Sequence, residues 1–155
     1  MSAPNEIVLG WMQRARPDLQ LARAALRARG VLPEDACFHA QQCAEKALNA
    51  LLLHREIAFP KTHAIEVLLD LLKASGMTIP ESVDEAFELS DYAVQSRYPG
   101  EWEPVTKTEA RQAIDQAALV LAWVEGQLAQ EQPFICPCTN LHNQPCNRSS
   151  LPPSQ

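Results

Sequence analysis

Apolar residues recur three or four positions apart through almost every segment before residue 130, and no segment sustains the alternation of a strand. That rhythm restricts the chain to helices packed on helices. Trp11, Ala15, Leu19, Ala22 and Leu26 mark the inner face of a first helix, which Gly30 ends. Pro17 falls inside this pattern, so it either kinks the helix or begins a second segment. A second helix opens near Pro33, with Glu34 and Asp35 suited to its positive end, and runs to about Arg55. Its deepest stripe is Cys37, Ala40, Ala44, Ala47, Leu48 and Leu51, and a second stripe of Phe38, Gln41, Glu45 and Leu52 lies beside it. So wide an arc implies more than one packing neighbour, and Leu52 is the expected flank of a twofold self-contact.

Proline and glycine divide the rest. After Phe59 and Pro60, Thr62 is the expected cap of a third helix with Ile65, Leu68, Leu69 and Leu72 inside, stopped by Gly76. Pro80 opens a fourth helix with an expected stripe of Val83, Phe87, Ser90, Val94 and Arg97, ended by Pro99 and Gly100. Thr106 and Glu109 form a capping box for a last helix carrying Ala110, Ala113, Ile114, Ala117, Leu121, Val124 and Leu128. The expected fold is all-α, an up-and-down bundle of four to five helices over residues 5–130. Residues 131–155 read as a flexible, proline- and cysteine-containing extension.

With 155 residues and 46% hydrophobic content, the chain supports one core rather than two. Its net charge of −6 argues against a dedicated nucleic-acid binder, while leaving room for a small local basic site. Apolar runs such as Ala117 to Val124 are far shorter than the roughly 20 residues a bilayer requires, and the first residues lack the pattern of a secretory signal. The expectation is a cytoplasmic protein whose five cysteines are reduced. Cys136, Cys138, His142 and Cys146 read C-x-C-x3-H-x3-C, ligand types that suit zinc in a spacing unlike common fingers; the expectation is no metal.

Polar groups interrupt the apolar pattern at three places. Gln41 and Glu45 lie one turn apart on the second helix, with Lys46 about 100° further round. His63 is expected in the first turn of the third helix, and Arg97 near the end of the fourth. A guanidinium there suits either a structural pair with Glu45 or a bidentate hold on phosphate. Tyr98 is expected to cover the bundle end.

The block FHAQQCAEKALNALL at 38–52, followed by KTHAIEVLLDLL at 61–72 and SRYPG at 96–100, resembles the HEPN family, as does WMQRARPDLQLARAAL at 11–26. The resemblance covers roughly residues 5 to 130. It implies a homodimer that partners a small nucleotidyltransferase in a toxin–antitoxin-like pair and binds nucleotide without a required cofactor. On that reading Arg97, Lys46, His63 and Tyr98 contact phosphate, and Glu45 with Gln41 orients them. Many HEPN proteins look like metal-independent ribonucleases, whose site is an arginine followed, after four to six intervening residues, by a histidine. This chain departs from that pattern, since Trp102, Glu103 and Pro104 occupy the candidate histidine positions beyond Arg97. The sequence therefore ranks binding above ribonuclease activity, in which Arg97 and His63 would be catalytic, with a protein-only adaptor as a third reading.

Overall fold

The computed structural model describes residues 4–95, 98 and 100–131. Arg97 and the ligand-type residues Cys136, Cys138, His142 and Cys146 lie outside them, as does the expected C-terminal extension from residue 132 onward. The elements are α1 (Pro4–Arg27), α2 (Pro33–His54), α3 (Ile65–Ala74), α4 (Glu81–Asp84), a 3-10 segment (Glu85–Asp91), α5 (Tyr92–Gln95) and α6 (Lys107–Gln130). With α4, the 3-10 segment and α5 taken as one broken arm, this is an all-α bundle of five helices, within the four to five expected, with no strand among the described residues.

The centre of the bundle is α2. Its principal neighbours are α1 and α6, with α3 and the broken arm closing the remaining sides. Between Ala36 and Leu52 only Phe38, His39, Gln42 and Lys46 are part-exposed, and every other residue is buried. Alanines at 36, 40, 44, 47 and 50 let the neighbouring helices approach closely, while Leu48, Leu51 and Leu52 fill the layers between them. The wide apolar arc therefore serves the chain's own helices. Leu52 is fully buried and cannot be the flank of a twofold contact.

Pro17 does not divide α1, which runs unbroken to Arg27. The proline sits on the exposed side, where solvent can serve the carbonyl that its missing N–H leaves unbonded. The third helix begins at Ile65, later than expected; Thr62 Oγ1 accepts from Ala64 N at 3.0 Å, and His63 precedes the helix instead of occupying its first turn. The last helix has the reciprocal cap its sequence announces, with Glu109 N donating to Thr106 Oγ1 at 3.2 Å and Thr106 N donating to Glu109 Oε2 at 2.7 Å.

The fourth arm differs most. Its buried residues are Val83, Ala86, Leu89 and Ala93, whereas the expected core members Phe87 and Val94 are 51% and 45% exposed. A 3-10 turn has three residues per turn, so the inward stripe advances from 83 to 86 to 89 and leaves the 3.6-residue register. Arg97, the last member of the expected stripe, lies outside the described residues.

Candidate functional site

A chain of polar contacts runs along the partly open face of α2. Gln42 Nε2 donates to Gln41 Oε1 at 2.7 Å, and Gln41 Nε2 donates to Glu45 Oε2 at 2.8 Å and to the His63 carbonyl at 3.3 Å. His63 Nδ1 lies 3.0 Å from the same Glu45 oxygen. A carboxylate only accepts, so Nδ1 carries a proton, and in the neutral ring Nε2 is the acceptor. The Glu45 side chain is 11% exposed and the His63 ring 57%, so a buried carboxylate holds an imidazole that faces outward.

One residue further along α2, Lys46 donates to Asp18 Oδ2 from α1. The other Asp18 oxygen accepts from His39 Nδ1 at 3.1 Å, and the ring of His39 meets Phe38 edge-on with centroids 5.5 Å apart. Asp18 is buried and bridges two cationic-type side chains on α2. Lys46, expected on phosphate, is thus engaged with a carboxylate inside the chain. Tyr98 is exposed, and its N–H makes a long contact with the Gln95 carbonyl at 3.5 Å.

The structure brings together Gln41, Glu45 and His63 from the sequence-derived set and leaves Lys46 in a separate pair. Ser90 ties the broken arm to this corner: its hydroxyl accepts from Ile65 N at 2.9 Å and donates to Glu66 at 2.6 Å, just beyond His63 in the chain. The sequence reading does not single out Asp18 or His39. Asp18 had a signal, because it falls between Ala15 and Ala22 on the inner stripe of α1, where an acid requires a partner.

Two thiols lie beneath this face. Burial pushes Cys37 up to about 12, against the smaller opposing effect of its hydrogen bond with Tyr92, and burial also pushes Cys43 to about 12. Neither is a nucleophile at neutral pH. No group of three or more His, Cys, Asp or Glu with metal-holding geometry occurs among the described residues.

The family model for the HEPN domain matches residues 8–127. The chain belongs to the HEPN domain family. Among curated proteins, this HEPN chain is 28% identical over 137 residues to "Putative toxin MJ1304" of Methanocaldococcus jannaschii, with 78% of this chain and 88% of that protein covered. Among solved structures it is similar to the archaeal HEPN homologue ST0689, with 34% identity, a TM-score of 0.63 and coverage of 78% and 97%. It is also similar to TT1696 from Thermus thermophilus, with 35% identity, a TM-score of 0.64 and coverage of 77% and 97%. A HEPN domain protein from Thermotoga maritima gives 26% identity, a TM-score of 0.62 and coverage of 78% and 98%. The matched residues of this HEPN domain contain both polar pairs, Asp18 with Lys46 and Glu45 with His63, and stop short of Cys136. No helix among the described residues is long and apolar enough to cross a membrane.

Proposed function

We propose that this HEPN protein is the toxin of a toxin–antitoxin pair, that it acts on RNA at the His63–Glu45 corner, and that a small nucleotidyltransferase is its partner. The observation that carries the reading is the outward-facing His63 ring held through Nδ1 by the buried Glu45 carboxylate at 3.0 Å. That arrangement fixes the tautomer of the neutral ring with Nε2 outward, the atom to which we assign the role of base. The kinship to a curated relative named as a toxin supports the same direction.

In the proposed reaction, His63 Nε2 takes the proton of a ribose 2′-hydroxyl. The freed oxygen attacks the adjacent phosphorus, the bond from phosphorus to the 5′ oxygen breaks, and solvent protonates the departing oxygen. The products are a 2′,3′-cyclic phosphate and a 5′-hydroxyl. Arg97 is assigned the guanidinium role for the charge that builds on the non-bridging oxygens, and Tyr98, next in the sequence, a contact to phosphate. Gln41 and Glu45 position His63, and Lys46 is assigned to holding Asp18 rather than to phosphate. The protein works as a homodimer in the cytoplasm and needs no cofactor; Cys136, Cys138, His142 and Cys146 are assigned no metal. End-group analysis of RNA incubated with the full chain in chelator tests this, since cyclic phosphate ends support it and the absence of wild-type cleavage sinks it.

A second reading keeps the nucleotidyltransferase partner and removes the chemistry: the chain binds nucleotide and protein only. The departure from the arginine–histidine spacing favours it. Purification of the tagged chain from its host separates the two, because a co-eluting nucleotidyltransferase without RNA cleavage by the freed chain selects binding alone.

A further inference from the structure

Away from the His63 corner, a cleft of about 390 Å³ lies between the end of α1 and the start of α6. Arg23, Arg27 and Arg111 line it over a floor of Leu26 and Ile114, with Asp115 as its one acid. None of the three arginines lies within ion-pair distance of a carboxylate among the described residues. Arg16 shares the α1 face of Arg23 and Arg27, but Glu125 of α6 pairs with it at 2.6 Å. Along this face, positive charge is therefore left open where the C-terminal end of α1 meets the N-terminal end of α6. The chain as a whole carries −6, so this concentration runs against its overall charge.

Helix stability does not account for it. Arg27 complements the negative end of α1, but Lys107 and Arg111 sit in the first two turns of α6, whose positive end they oppose. Arg111 thus gains nothing from its place in α6, and an anion held by the three guanidiniums of the cleft would offset its cost.

We infer that the Arg23–Arg27–Arg111 cleft is a binding site for the phosphodiester backbone of RNA, distinct from the His63 corner. It rests on the RNA reading above and extends it, holding a strand by phosphates that are not cleaved. The open, shallow form suits a continuous backbone, and the apolar floor of Leu26 and Ile114 gives a base or ribose a surface to lie on.

The test uses the full chain and a fluorescent 20-nucleotide single-stranded RNA, 2′-O-methylated throughout so that it cannot be cut. Anisotropy is read across a salt series. The double variant Arg23→Gln/Arg111→Gln should bind roughly tenfold more weakly near physiological salt, and its log–log salt slope should be shallower by about 1.4, at about 0.7 per lost phosphate contact. The charge-matched Arg14→Gln/Lys73→Gln should keep the wild-type affinity and slope. Wild-type binding with an unchanged slope in the cleft variant overturns this site and leaves the RNA reading standing. Equal losses in both double variants mark a diffuse charge effect and overturn it as well. No wild-type binding of the probe at low salt overturns the site together with the RNA reading. Binding of 5′-AMP at the cleft as strong as that of the 20-mer replaces a strand site with a small-ligand pocket and also overturns it.

Discussion

His63 Nδ1 lies 3.0 Å from Glu45 Oε2, so a residue of the loop before α3 is bound to the buried acid of the central helix. The same oxygen accepts from Gln41 Nε2 at 2.8 Å. One carboxylate therefore fixes both an imidazole and an amide, and the amide in turn holds the loop through the His63 carbonyl.

Removing that carboxylate has two separable effects. Glu45→Ala should lower stability by about 1–3 kcal/mol in urea denaturation, because Gln41 loses an acceptor in a buried setting. Glu45→Gln keeps the volume and a carbonyl acceptor, so it should cost less stability while slowing RNA cleavage at least tenfold. A Gln variant that cleaves at the wild-type rate contradicts the positioning role.

Asp18→Asn should destabilise by about 1.5–3 kcal/mol, since Lys46 loses a charged acceptor and His39 loses part of its anchor in one step. Lys46→Met should recover part of that loss in the Asp18→Asn background, by removing the unpaired ammonium. Additive losses in the double-variant cycle would show that the two side chains are not coupled.

Alkali should weaken the fold. Cys37 and Cys43, with an ordinary value of 9.0, and Tyr92, with 10.0, hold their protons to about 12 when folded. Their folded values are raised, so their contribution is intact below about 9 and is lost as pH climbs toward 12. Thermal melts should show Tm falling over that interval. At the acid end, the Thr106 backbone N–H and hydroxyl hold Glu109 below the usual carboxylate range, so its contribution fades only as pH drops through that lowered value. At pH 8, peptide mapping should find Cys37 and Cys43 unmodified by iodoacetamide until denaturant is added.

Glu56 follows α2 with a φ of 57°, and the turn is closed by Ile57 N donating to the Leu52 carbonyl at 2.9 Å. Glu56→Gly should raise stability by about 0.5–1 kcal/mol, because glycine adopts this left-handed conformation without a Cβ penalty. A lower Tm for this variant would contradict that assignment.

The sequence was most legible where one local rule decided the outcome. The Thr106–Glu109 box, Gly30 and Gly76 after their helices, and the inner stripe of α3 all follow from short-range chemistry. The fourth arm was not legible in the same way. Its turns tighten to a three-residue period, which exchanges Phe87 and Val94 for Ala86 and Ala93 in the core. The candidate site divides along the same line. Gln41 and Glu45 share a flank by their spacing alone, but the partners of Lys46 and Glu45 lie 28 and 18 residues away, on α1 and in the loop before α3. Only packing determines that Asp18 captures Lys46.

The most direct test is the initial rate of cleavage of one labelled RNA by the full chain and by His63→Ala, in chelator between pH 6 and 8. The account predicts metal-independent cleavage that leaves cyclic phosphate ends and falls by about a hundredfold or more in the variant, with its helical circular-dichroism signal intact. Equal rates for the two proteins would contradict a catalytic His63, and no cleavage by the wild-type chain would contradict the toxin chemistry itself.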